Sequence, residues 1–361
     1  MPARSPLRRL PLALVLVAAT GVLAACSDTQ AAGNAGGPEG HVDLRLGYFA
    51  NLTHATAMVG LNKGFFASAL GSNVTLTTQT FNAGPAAVEA IFGGALDAAY
   101  IGPNPAVNAF AKSHGSLVRV IAGATSGGAA LVVRPGAGIT SPESLRGKKL
   151  ADPQLGNTQD VALRSYLAAH GLHTDAQGGG DVSITSTDNA TILQLFKAGQ
   201  LDGAWVPEPW ISRLVNEAHG TVFVDEASLW PNGQFPTTEL VVTTKFLSDH
   251  PQTVSHLLKG HVTANDWVVT NPAEAQTVVN DALLQLTQKK LDPAVVSQAW
   301  QRLSFTLDPL PAELAKQAKA AVDAGVLTSV DLHGIIDLAP LNAVLRSLNR
   351  PTLSSGGYGT Q

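Results

Sequence analysis

One cysteine stands in 361 residues, and charged side chains make up only 14 % of them. A single cysteine excludes an intrachain disulfide and any CxxC metal or redox site. The ten histidines are scattered without metal-ligand spacing. No GxSxG elbow, HExxH, P-loop or GxGxxG after a strand is present. Gly136-Ala137-Gly138 is a partial echo that follows Pro135 and carries no weight. No basic stripe with interleaved aromatics occurs, and the net charge is −4, which argues against a nucleic-acid partner. No cofactor and no catalytic residue is implied. What the chain has is apolar substance, 45 % hydrophobic, enough for a large core and about two domains.

The N-terminus reads as an address. Arg4, Arg8 and Arg9 form a positive start, Leu10 to Leu23 an apolar run, and Leu23-Ala24-Ala25-Cys26 a small-residue cut. The run is short for a membrane span. Its ending resembles the bacterial lipobox, which implies a signal peptide over 1–25, removed before Cys26, and lipidation of that thiol. Two or three acyl chains anchor stably where one does not. Without residues 1–25 the balance is 20 basic against 27 acidic side chains. Residues 26–42 carry no apolar periodicity and read as a flexible tether.

Strand and helix patterns then alternate. Asp43–Phe49 reads as a strand, Ala55–Ala69 as a helix and Val74–Thr80 as a strand. This alternation predicts an α/β fold with mixed, mostly parallel sheets and helices on both faces. One pattern occurs twice. Residues 87–105 and 192–210 each hold an amphipathic helix, a glycine turn, Leu-Asp, a short strand and Pro-x-Pro. The copies predict two equivalent lobes. Ligands bind beyond the carboxyl ends of strands in such sheets, so Asn104 and Glu208 are expected across a common cleft.

The stretches Ile101-Gly102-Pro103-Asn104-Pro105, Ala204 to Trp210, Leu229 to Phe235, and Gly47-Tyr48-Phe49 with Gly60 to Phe66 resemble the sulfonate/nitrate/taurine class of ABC transporter solute-binding proteins. The resemblance runs from residue 43 to about 345. It implies the type II periplasmic-binding-protein fold, two α/β lobes joined by two hinge strands. Mapped here, lobe one is 43–133 plus 238–345 and lobe two is 134–237, with crossings near Val132–Arg134 and Thr237–Val241. Residues 246–345 read as helical and 346–361 as a loose tail. The implied partners are a small anion, the permease and ATPase subunits of an importer, and a membrane reached through the lipid anchor. The chain is expected to be a monomer on the extracytoplasmic face.

Several strand-to-helix turns offer a way to hold an anion without a formal cation, through free N–H groups and neutral donors. They contribute Asn51 and His54, Asn104, Ser126, and Gln154, Asn157, Thr158 and Gln159; Tyr48 joins them from its motif. The family places an anion-contacting turn at Gly156–Gln159. His54 is either a surface residue or a donor when protonated. Trp205 and Trp210 either wall the cleft or pack in a core. Glu208 either reads an amine, as an acid does in taurine-like members, or pairs with Arg213. Few lysines fall near the cleft, which ranks nitrate and bicarbonate below an alkanesulfonate or taurine. A pyrimidine (thiamine precursor) binder, a pyrimidine-synthesising enzyme of the same fold and a sensor domain are the other readings; a lipobox argues against the enzyme.

Overall fold

A computed structural model describes residues 40–360. The signal, Cys26 and most of the tether lie outside the described residues.

The first sheet takes β1 (Val42–Phe49), β2 (Val74–Phe81), β3 (Ala98–Ile101) and β4 (Val118–Gly127) from the N-terminal half. It adds β10 (Pro236–Thr243) and β11 (Leu303–Phe305) from beyond the second sheet, in the order β11-β4-β10-β3-β1-β2. β1 is parallel to β2 and β3, while β10 is antiparallel to β3 and β4. The second sheet has β5 (Ala129–Val133), β6 (Lys149–Asp152), β7 (Ser183–Ser186), β8 (Gly203–Pro207) and β9 (Thr221–Asp225), in the order β7-β6-β8-β5-β9. It too is mixed: β6 is parallel to β7 and β8, and β5 antiparallel to β8 and β9. Two α/β lobes with mixed sheets are therefore present, as expected.

The first expected crossing is misplaced. Val132 and Val133 lie inside β5, fully within the second sheet. The chain changes sheet at Gly127-Gly128, both at positive φ (81° and 73°). A Cβ on Gly127 would stand 2.6 Å from the Arg302 carbonyl oxygen, and one on Gly128 2.3 Å from Leu303 Cδ2. Only glycine threads that path. The return crossing comes before Pro236, since Thr237–Val241 already belong to β10.

In the first lobe, α1 (Ala55–Asn62) and α2 (Phe65–Leu70) pack on α9 (Pro251–Thr270). The single helix expected over 55–69 breaks at Gly64, which takes φ 72°. α3 (Gly84–Phe92) and α4 (Pro103–Lys112) follow β2 and β3. α8 (Thr244–Asp249), α10 (Pro272–Thr287), α11 (Pro293–Trp300), α12 (Pro311–Asp323) and α13 (Ala339–Ser347) complete the C-terminal region. In the second lobe the two-residue period of the strands feeds two cores. Leu131, Val133, Leu150 and Trp205 face α5 (Thr158–Ala169). Ala130, Val132, Ala204 and Val206 face α6 (Asn189–Lys197) and α7 (Trp210–Ala218).

The C-terminal tail is not loose. The Tyr358 carbonyl accepts from Gly334 and Ile336 N–H, Thr360 N–H donates to Ile336, and Asn342 exchanges two hydrogen bonds with Leu353. Backbone pairing, invisible in a Gly/Ser-rich composition, ties it down.

Candidate functional site

Four strand-to-helix turns meet between the lobes, all beyond the carboxyl ends of parallel strands. After β1, Asn51 leads into a 3-10 turn over Leu52–His54 and then α1. Thr125 Oγ1 on β4 donates to the Thr53 carbonyl at 2.7 Å and holds the turn in place. After β6, Asn157 caps α5, its Oδ1 accepting from Asp160 N–H at 2.8 Å. Thr158 and Gln159 occupy the first turn. Asp160 accepts from Gly156 N–H at 2.8 Å and from Arg164 Nε at 2.6 Å, so it braces the turn, and it does not line the inner cavity. Asp152, buried at the end of β6, is pushed well up by burial and by the Asp160 charge. The other two turns follow β2, with Asn82, and β7, with Asn189 at the start of α6.

Asn51, His54, Asn82, Asn157, Thr158, Gln159 and Asn189 line one inner cavity of about 30 Å³, room for a head group of a few atoms. No Lys, Arg, Asp or Glu lines it. Thr158 Oγ1 and Asn189 Oδ1 are buried there without a partner. His54 is buried, not a surface residue, and burial lowers its pKa to about 3, so it is a neutral imidazole. Its Nδ1 accepts from Phe49 N–H at 3.3 Å, which leaves the proton on Nε2. The expectation of a protonated donor is thus corrected to a neutral one. Asn82 and Asn189 were missed by sequence reasoning, although each stands at the kind of turn that singled out Asn51 and Asn157.

Two larger cavities flank the inner one. An outer cleft of about 330 Å³ shares Asn51, Asn82 and Asn189 with it. Phe81, Trp210, Leu283 and Leu291 give the cleft apolar walls, and Arg213 and Lys289 stand at it. Trp210 Nε1 donates to Asn51 Oδ1 at 3.0 Å, from one lobe to the other. Arg213 lies 4.5 Å from the Trp210 ring centre. It also bonds Glu217 at 2.7 Å. Burial pushes the Glu217 carboxyl up, but hydrogen bonds from Arg213 and Lys197 outweigh it and hold it at about 2. A groove of about 320 Å³ opens on the other side, between α5, α12 and residues 226–231, and shares Thr158 with the inner cavity. Asn104 lines this groove and not the inner cavity.

The remaining expected site residues are not brought to the inner cavity or its flanking cleft. Tyr48 is buried in the first-lobe core beside Thr78. Ser126 Oγ accepts from Phe235 N–H at 3.1 Å and is spent on the crossing. Gln154 is half-buried on the loop and lines none of the described cavities; its carbonyl accepts from Asn157 N–H. Trp205 is fully buried, donating from Nε1 to Glu226 at 2.8 Å, and is core rather than wall. Tyr100 is also core, its hydroxyl 2.7 Å from His261 Nδ1.

Glu208 does not face Asn104 across a cleft. It is fully buried, accepts from Ser212 N–H (3.1 Å) and Oγ (3.0 Å), and pairs with Arg302 at 3.1 Å. Burial pushes it up to about 7, against Ser212 and Arg302. The partner is Arg302, which also lies 3.7 Å from Asp225, and not Arg213, which is taken by Glu217. Among the described residues no group of three or more His, Cys, Asp or Glu is placed to hold a metal, and no helix is long and apolar enough to cross a membrane.

A cavity lined by neutral polar groups at strand ends lies between two mixed-sheet lobes, an arrangement of the periplasmic-binding-protein fold. The family described as NMT1-like matches residues 37–282, and the chain belongs to it. The taurine-binding periplasmic protein of Escherichia coli K12 is 28 % identical over 202 residues, 56 % of this chain and 60 % of its own. The alkanesulfonate-binding protein SsuA from Xanthomonas axonopodis pv. citri, solved bound to MOPS, superposes with TM-score 0.68 at 19 % identity, over 81 % of this chain and 96 % of its own. The nitrate-binding protein NrtA from Synechocystis PCC 6803 gives TM-score 0.73 at 16 % identity, over 88 % and 91 %. The resemblance to the sulfonate/nitrate/taurine class is borne out. These relatives are binding proteins and not enzymes, in line with the absence of catalytic motifs.

Proposed function

We propose that this chain is the extracytoplasmic solute-binding component of an ABC importer, capturing an alkanesulfonate or taurine-like anion between its lobes and delivering it to a permease and its ATPase. The observation that carries the reading is the convergence of Asn51, His54, Asn157, Thr158 and Gln159 on one small cavity lined by no charged side chain. Helix starts and neutral N–H and O–H donors surround a monovalent anion of three oxygens well, and exclusion of water strengthens each contact. The taurine- and alkanesulfonate-binding relatives support the choice of ligand. Nitrate ranks lower, because Arg213 and Lys289 stand in the outer cleft and not at the inner cavity. The lipobox-like Leu23-Ala24-Ala25-Cys26 supports anchoring through Cys26.

Thermal unfolding of the purified chain with ethanesulfonate, taurine, nitrate, bicarbonate and a pyrimidine tests the assignment. A ligand at a hundred times its Kd adds about 2.7 kcal/mol. Stabilisation by a sulfonate and none by nitrate is expected; the reverse pattern overturns the ligand assignment.

A further inference from the structure

The groove beside α5 is built for the opposite charge to the inner cavity. Its floor carries Asn104, Thr158 and Gln317, exposed by only 3 %, 5 % and 4 %. Asn104 Nδ2 donates to the Gln317 carbonyl at 3.0 Å, and Gln317 Nε2 to the Pro236 carbonyl at 3.1 Å. Both amide NH₂ groups are thereby engaged with backbone oxygens. That orientation leaves Asn104 Oδ1 and Gln317 Oε1 buried with no donor, and Thr158 Oγ1 has no partner either. Glu226 adds a carboxyl group to the same groove; burial pushes it up to about 7 against the two indole N–H groups, so a cation beside it would favour its ionised form. Its oxygens accept from Trp205 Nε1 at 2.8 Å and Trp230 Nε1 at 3.4 Å, which leaves lone pairs on both. Tyr166 and Trp230 supply aromatic faces.

Two of the buried atoms without a partner, Asn104 Oδ1 and Gln317 Oε1, can only accept, so the groove calls for a compact donor group. The basic side chains at hand are Lys316 and His170, both exposed at the rim. Lys316 has a long stem free to turn to solvent, and His170 sits with Nδ1 at 2.8 Å from the Tyr166 carbonyl. An ammonium brings three donors and a charge that suits both a carboxylate and aromatic faces. A second anion meets Glu226 and the two acceptor-only amide oxygens.

We propose that the groove receives the ammonium end of a zwitterionic ligand, an amino-alkanesulfonate, whose sulfonate lies in the inner cavity, with Thr158 lining both compartments between the two ends. This rests on the anion reading above. It moves amine recognition from Glu208, which is paired with Arg302, to Glu226, Asn104 and Gln317.

Calorimetric titration of the purified chain with taurine and with ethanesulfonate, which differ only in the amine, tests it. Taurine is expected to bind at least about tenfold tighter, the scale of a charged hydrogen bond. Glu226→Gln and, separately, Gln317→Met should each erase most of that preference by weakening taurine, with ethanesulfonate changed by about twofold or less. Equal affinity of the unaltered chain for the two ligands overturns the proposal, as does an equal loss for both ligands in both variants. Either result leaves the anion reading standing. Binding of neither sulfonate overturns the anion reading and the groove proposal with it.

Discussion

The two Pro-x-Pro elements start from one sequence pattern and end in different roles. In the first lobe the helix begins at Pro103, so Asn104 sits in the first turn of α4 and turns an unpartnered oxygen toward a groove. In the second lobe the strand runs on through Pro207 and the helix begins only at Trp210. Glu208 is carried back into the protein, where Ser212 and Arg302 saturate it. Their surroundings differ in the same sense. Beside the first element, Glu239 on β10 lies opposite Ile101 and is buried with neither oxygen partnered. A repeat fixes where chain elements go. The residue at which the helix starts decides whether a polar group lines a groove or meets a neighbouring side chain.

That contrast breaks most sharply under Glu208→Ala. Removing one partner of a largely buried pair leaves Arg302 with only the more distant Asp225 and Ser212 without its acceptor, at a cost of about 2–3 kcal/mol in urea unfolding. Asn104→Ala at the matching position should cost less than about 1 kcal/mol.

Glu239→Gln tests the unpartnered carboxyl, with the opposite sign at high pH. Burial pushes Glu239 well above its ordinary value. A raised acid favours the fold below pH 4.5, where both states are protonated, and that contribution is lost as pH rises and only the unfolded chain ionises. The variant should therefore gain stability over the natural chain at pH 8, by about 1–3 kcal/mol, and little at pH 4. Melting curves at the two pH values give the answer; a larger gain at pH 4 would contradict the assignment.

Trp210→Phe is the mildest test. It keeps an aromatic wall and removes the Nε1–Asn51 hydrogen bond, so sulfonate affinity should fall about fivefold, near 1 kcal/mol, with unfolding little changed.

Much of this arrangement was legible from local pattern. The alternation along Val42–Phe49 and the small-polar turns before α1 and α5 are signals carried by adjacent residues. What escaped depends on residues far apart in the chain. Arg302 is 94 residues from Glu208, and nothing near Glu208 announces it. Trp205 resembles a cleft aromatic until Glu226, 21 residues on, takes its indole N–H. The docked tail depends on backbone hydrogen bonds to Gly334 and Ile336, which composition does not encode. The true first crossing did leave a mark. Two adjacent glycines, Gly127 and Gly128, stand where β4 of the first sheet gives way to β5 of the second.

The passage at Gly127-Gly128 runs directly beneath Arg302 and Leu303, and Arg302 is also the residue that grips Glu208 and Asp225. Joint and fastener are thus the same few atoms. A methyl group added at Gly127 or Gly128 lies in the path of that fastener. A substitution there reaches the pairing of Arg302 with Glu208 and Asp225, although neither glycine lines the inner cavity.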